Sequence, residues 1–220
     1  EIPKRDWSSD VCSSDLGLSP NFWSRSIGWY GMSIVDALDY IPVDQRQIDQ
    51  TVGVLRRLAD GVVKWQDTRS GVWWQMTSQG SRAGNYLEGS GSAMFVYILA
   101  KGVNKGYLPR DKYLPAIQKG YAGLISEFIK SNADGSLTMQ KICQGAGLGY
   151  TTSAGRPRDG SYEYYLSEPV VDNDPKGTGP FILASMEVNK LLTTPASAVP
   201  TKFAGWDSLP DILGRIKAPE

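Results

Sequence analysis

Histidine is absent from all 220 residues. Its absence excludes Ser-His-Asp and Cys-His catalysis within this chain, and removes the commonest transition-metal ligand. Cysteine is nearly as scarce. Cys12 and Cys143 are the only two, too few for a disulfide framework or a thiolate zinc site, and Cys143 reads as a small buried hydrophobe. Net charge is missing as well: 23 Lys and Arg balance 23 Asp and Glu. No global field therefore steers the chain toward nucleic acid or an anionic membrane surface, and an acidic ligand must be recognised locally. No apolar run approaches the roughly 18 residues of a membrane span, and the first residues lack the apolar core of a signal peptide. What remains is carboxylate, arginine, tyrosine and lysine chemistry, on a chain long enough for one domain or part of a larger one.

Residues 1–16 carry no hydrophobic period and repeat Ser-Ser-Asp at 8–10 and 13–15. This stretch resembles a translated sequencing adapter and is set aside from fold reasoning as non-native, which places the natural chain's beginning further upstream. Beyond it, Ile34, Val35, Leu38 and Ile41 recur at helical spacing up to Pro42. Asp44 with Gln47 is a capping-box pattern opening a second helix, whose stripe is Ile48, Val52, Leu55, Ala59 and Val62. Gly71–Met76 reads as a short strand. A third helix is predicted over 87–103, with Gly89, Ser90, Gly91, Ser92 and Ala93 crowding its first turns. Such crowding marks close approach of a ligand or another backbone.

A fourth helix starts after Pro109 or settles only at Pro115, showing Tyr113, Ile117, Tyr121, Leu124 and Phe128 on one face. Residues 137–140 and 162–166 read as strands, the latter from its tyrosine content. The last helix is predicted to open at Thr178-Gly179-Pro180, with proline in the first turn and Phe181, Ala184, Val188 and Leu191 inward. Residues 17–192 thus form five helices in hairpin order, and 193–220 a loose or partly docked tail. A closed ring of hairpins fits better than a solenoid, because glycine and aromatic motifs gather at helix N-termini.

Three blocks carry more than periodicity. They are Phe22-Trp23-Ser24-Arg25-Ser26-Ile27-Gly28-Trp29, Tyr86-Leu87-Glu88-Gly89-Ser90-Gly91-Ser92-Ala93-Met94, and 159–169 running on to Asn173-Asp174-Pro175-Lys176-Gly177-Thr178-Gly179-Pro180-Phe181. Together they resemble the unsaturated rhamnogalacturonyl hydrolases of glycoside hydrolase family 105, related to family 88, over about residues 20–192. The resemblance implies a mostly α fold, an (α/α)6 barrel of six hairpins, here incomplete and lacking its N-terminal hairpins. It implies an oligosaccharide substrate ending in an unsaturated uronic acid, derived from pectin. It also implies a reaction in which an aspartic acid protonates the C4=C5 double bond and water adds at C5, after which the hemiketal expels the aglycone. No cofactor, metal, nucleic acid or membrane partner is implied.

Carried over by position, Arg25 and Trp29 match residues lining the uronate subsite, with Trp23 beside them. Arg25 would pair with the carboxylate and Trp29 would stack on the ring. Many relatives read Arg-Gly-Asn-Gly-Trp where this chain has Arg25-Ser26-Ile27-Gly28-Trp29. The family's general acid lies before this block. The acidic residues nearest on that side, Asp10 and Asp15, lie inside the excluded stretch and neither is assigned the role; the catalytic aspartate is expected upstream and the fragment inactive.

Glu88 reads either as a substrate-hydroxyl contact or as a helix cap. Glu163 and Glu168 could form a conventional two-carboxylate glycosidase pair, or serve the surface and a loop. Lys176 precedes a helix N-terminus in an anion-binding or purely structural loop. Trp73 and Trp74 read as a sugar platform or hairpin packing. A noncatalytic carbohydrate-binding or scaffold protein is the competing class. An open ring would also expose apolar hairpin faces, predicting association.

Overall fold

The computed structural model describes residues 21–40, 44–148, 155 and 158–193. Their helices are α1 (Ser24–Ala37), α2 (Gln45–Lys64), α3 (Gly89–Asn104), α4 (Arg110–Phe128), α5 (Tyr162–Ser167) and α6 (Pro175–Thr193). Four short strands join them: β1 (Ile129–Ser131), β2 (Leu137–Met139), β3 (Ile142–Cys143) and β4 (Val170–Val171). The stop at Pro42, the excluded stretch 1–16 and the tail beyond Thr193 lie outside the described residues.

The α1–α2 hairpin follows the hydrophobic spacing. Asp44 caps α2, its carboxylate accepting the Gln47 N–H at 2.9 Å, and Val52, Leu55, Ala59 and Val62 are buried along one stripe. Helix α3 is the centre of the molecule, buried from Gly89 through Val103. A helix that is apolar on every side needs neighbours on every side. It has them: α1 and α6 flank it, α2 touches both α1 and α3, and α4 touches both α3 and α6. The arrangement is two-layered, with α1, α3 and α6 side by side and α2 and α4 covering the seams.

Three expectations are corrected. Tyr162–Leu166 is not a strand but the core of α5. The Ser161 hydroxyl accepts the Tyr164 N–H at 3.1 Å, and this cap, with Tyr162, Tyr164 and Tyr165 buried, overrides the β preference of the tyrosines. Helix α6 begins at Pro175 rather than Thr178, so the proline suited to the first turn is Pro175 and Pro180 lies inside the helix. Asp174 sets this start by accepting the Lys176 N–H at 2.9 Å. Gly71–Met76 makes only the isolated bridges Trp74 to Leu87 and Met76 to Trp23. Pro115 does not delay α4, which is helical from Arg110.

Candidate active site at the helix N-termini

The site is assembled by backbone before any side chain enters. Ser24 N donates to Gln75 O at 3.0 Å and Thr77 N to Phe22 O at 2.9 Å, while Gln75 N donates to Tyr86 O at 2.8 Å and Glu88 N to Trp73 O at 2.9 Å. Residues 73–77 therefore lie between the segments leading into α1 and α3 and hold their N-termini level. Gly89 N donates to Lys141 O at 2.9 Å, and Asn173 N to Met139 O at 2.8 Å, bringing in β3 and the start of α6. The N-termini of α1, α3 and α6 meet at one end, where their partial positive charges add.

The small residues of the Glu88–Ala93 block are explained by these approaches. A Cβ on Gly91 would stand 2.5 Å from Ser24 Oγ, and one on Gly89 2.9 Å from the Gln140 carbonyl. Protein backbone and a serine, rather than a ligand, occupy the space that the glycines leave.

Glu88 is fully buried and caps α3. Its carboxylate accepts from Ser90 N at 3.1 Å, Ser90 Oγ at 2.7 Å and Gly91 N at 2.6 Å. It also accepts from Cys143 N at 3.0 Å, which ties β3 to the helix. Arg25 is 1% exposed and turned inward. Its Nη1 donates to the Cys143 carbonyl and to Ser90 Oγ at 3.4 Å, and its Cζ lies 5.0 Å from the Trp23 ring centroid. Arg25 and Glu88 thus grip the two backbone ends of Cys143 and share Ser90 between them.

Trp23 is half-buried, donates from Nε1 to Gln75 Oε1 at 3.2 Å, and packs on Tyr165 with ring centroids 5.7 Å apart. Gln75 Nε2 in turn donates to Tyr165 O at 3.4 Å. Trp29, one turn after Arg25, is 45% exposed. Of the four residues that the sequence singled out, Trp23, Arg25 and Glu88 are joined in one network, and Trp29 stands at the surface of the same helix.

Burial pushes the Cys143 thiol up, with Arg25 pulling the other way. Burial and the neighbouring Cys143 and Glu88 push the Tyr86 phenol up, so both groups stay protonated at neutral pH. Asp174 was not singled out by the sequence. Burial pulls its carboxyl up, but Lys176 outweighs this and holds it below the usual range, aided by Arg25. Lys176 Nζ lies 2.8 Å from Asp174, and the pair adds a carboxylate and a cation beside Arg25. The signal that would have found Asp174 is Asn-Asp-Pro, an acidic cap immediately before a first-turn proline.

The other candidates take separate places. Glu163 is exposed and pairs with Arg82 at 2.9 Å, whereas Glu168 is buried and faces Arg158 at 3.4 Å. Trp73 is fully buried, donating to Val62 O at 2.7 Å and meeting Phe95 edge-on at 5.3 Å, which makes it a core residue. Trp74 is half-buried and approaches Asp67 at 3.4 Å. Among the described residues, no helix is long and apolar enough to cross a membrane.

A two-layered helical array with charged groups gathered at the N-termini of its inner helices fits an α/α-barrel domain. The comparisons with known proteins agree. The chain belongs to Glycosyl Hydrolase Family 88, whose family model matches residues 4–192, a match that begins inside the stretch 1–16. A Rhizobium radiobacter protein described as the 24.9 kDa protein in picA locus is 37% identical over 174 residues, covering 78% of this chain and 73% of that protein. The unsaturated 3S-rhamnoglycuronyl hydrolase of Formosa agariphila is 31% identical over 103 residues, 47% of this chain and 27% of that enzyme. Among solved structures, a family 105 glycoside hydrolase from C. acetobutylicum superposes with a TM-score of 0.76 at 44% identity, covering 83% of this chain and 49% of that one. The chain therefore spans about half the length of that solved relative.

Proposed function

We propose that this chain supplies the uronate-binding part of a glycoside hydrolase that removes unsaturated galacturonic acid from oligosaccharides derived from pectin. The observation that carries the reading is the Arg25–Ser90–Glu88 network at the convergent N-termini. The Cys143 carbonyl and Ser90 Oγ both accept from Arg25 Nη1 and hold the guanidinium 1% exposed; in this reading a uronate carboxylate takes up its other donors, as a charge-assisted pair, once the surrounding residues part. Trp29 provides an exposed indole for the sugar ring, with Trp23 behind Arg25 fixing its plane. The family resemblance and the name of the Formosa relative support the substrate class. The reaction is hydration of the C4=C5 double bond followed by loss of the aglycone. In this reading the general acid is an aspartate upstream of the residues described, and the chain alone binds without turnover. No metal or organic cofactor enters the proposal.

Titration calorimetry with an unsaturated rhamnogalacturonan disaccharide and its saturated counterpart tests the site, alongside ultraviolet absorbance of the conjugated uronate. Binding of the unsaturated sugar that Arg25→Lys weakens, with absorbance constant, is the expected outcome. Absence of any uronate binding refutes the site. Loss of absorbance catalysed by the wild-type chain refutes the placement of the general acid.

A further inference from the structure

We infer that Tyr86 is a specificity-determining residue of the uronate site, its phenol donating to the same carboxylate that Arg25 pairs with; the inference rests on the function proposed above. The antiparallel bridges Trp23 to Met76 and Trp74 to Leu87 run three segments side by side, which sets Ser24, Gln75 and Tyr86 opposite one another in one row. Side chains directly opposite share a face. Glu88, whose backbone is extended, stands two residues from Tyr86 and belongs to that face as well. Arg25 reaches the same cluster through Ser90 Oγ and the Cys143 carbonyl.

Most polar atoms on this face have partners. Gln75 uses both ends of its amide, accepting from Trp23 Nε1 at 3.2 Å and donating to Tyr165 O at 3.4 Å, and Glu88 has its four donors. Two hydroxyls do not. Ser24 Oγ and Tyr86 Oη are buried without a hydrogen bond. Ser24, 0% exposed, is packed against α3 at Gly91, where an added Cβ would stand 2.5 Å from its Oγ. Backbone closes that hydroxyl off. Tyr86 Oη instead lies beside the Cys143 thiol, within electrostatic reach of Arg25 and Glu88, and a thiol is a poor acceptor. A buried donor left open costs folding free energy, and such groups persist where a ligand or a reaction uses them.

The chemistry suits a carboxylate. Once ionised it only accepts, with about four lone-pair sites, so the other donors of Arg25 take up part of it and leave room for a further donor. Tyr86 supplies that donor as a neutral group. One buried cation then faces one anion, and no second charge is left needing a partner. Burial keeps the phenol protonated, so the donor is present across the neutral range. An ester offers Tyr86 no charged acceptor, and a hydrogen bond to a charged group is roughly twice as strong as a neutral one. Tyr86 therefore sorts acid from ester more than it adds grip on sugars in general.

Titration calorimetry on the full 220-residue chain tests this with an unsaturated rhamnogalacturonan disaccharide and its methyl ester, alongside urea unfolding followed by circular dichroism. Tyr86→Phe keeps the ring and removes only the hydroxyl. It is expected to weaken binding of the acid about tenfold and of the ester by less than about twofold. The urea midpoint is expected to equal the wild type's or exceed it, because a buried hydroxyl without a partner has gone. An acid affinity within about twofold of the wild type's, an equal loss for acid and ester, or a lower urea midpoint, which would make the hydroxyl structural, would overturn the inference. The two readings fail separately. Acid binding that Arg25→Lys weakens and Tyr86→Phe leaves alone removes Tyr86 only, whereas a wild type that binds no uronate removes the site and Tyr86 with it.

Discussion

Replacing Glu88 by alanine tests the network most directly. The carboxylate accepts from Ser90 N, Ser90 Oγ, Gly91 N and Cys143 N at 2.6 to 3.1 Å. Losing the cap of α3 costs about 1 kcal/mol. The buried Cys143 N–H then has no acceptor from Glu88, a penalty of about 1–3 kcal/mol. Arg25, 1% exposed, loses a carboxylate that it reaches only through Ser90 Oγ, a weaker link than a direct ion pair. The lost cap and the orphaned Cys143 N–H together set the expected destabilisation at about 2–4 kcal/mol. Glu88→Gln keeps one acceptor but sets an amide NH₂ among donors, and is expected to cost about 1–3 kcal/mol. Urea unfolding followed by circular dichroism reads both, with an unchanged denaturant slope showing that the same surface unfolds. A double-mutant cycle with Arg25→Met should return a coupling of about 0.5–3 kcal/mol. A loss below about 1 kcal/mol for Glu88→Ala would reduce Glu88 to an ordinary cap, and additive single variants would break the Ser90 link.

Two further substitutions separate structure from surface. Asp39 bonds Lys101 at 2.9 Å and Lys105 at 2.8 Å; burial pulls its carboxyl up, yet these lysines outweigh it and hold it below the usual range. Its stabilisation is complete above the ordinary carboxylate range and lost as pH falls through the depressed folded value, so Asp39→Asn should lower stability near neutrality and flatten the acid limb of a stability-against-pH curve. An unchanged acid limb would count against the pairing. Glu163→Gln should leave stability within about 0.5 kcal/mol and uronate binding unaltered, since the ion pair with Arg82 is exposed; abolished sugar binding would instead favour the two-carboxylate reading.

The parts of the fold that local chemistry decides were legible. Asp44 with Gln47 marks the start of α2, and the stripe from Val52 to Val62 is the buried face it predicts. The rule that proline suits a first helical turn was sound, but two prolines compete for it. Asp174 decides in favour of Pro175 through a side-chain bond that spacing alone does not weigh. Tyrosine-rich residues 162–166 favour strands intrinsically, and Ser161 with three buried tyrosine rings makes them helical. In the candidate site, the Arg25 and Glu88 blocks stood out by composition. What joins them did not, because Arg25 meets Ser90 and the Cys143 backbone across 65 and 118 positions of the chain and no local pattern encodes such a meeting.

The contact between Arg25 and the Cys143 carbonyl spans 118 positions, and this fixes an order of events during synthesis. The α1–α2 hairpin can form from neighbouring residues early, whereas the arginine finds its acceptor only after most of the polypeptide has emerged and a long loop has closed. Until then a cation destined for the interior sits in water. The network that joins Arg25 to β3 is therefore among the last features this molecule acquires, and amide exchange at Cys143 should report its arrival more faithfully than the helix content does.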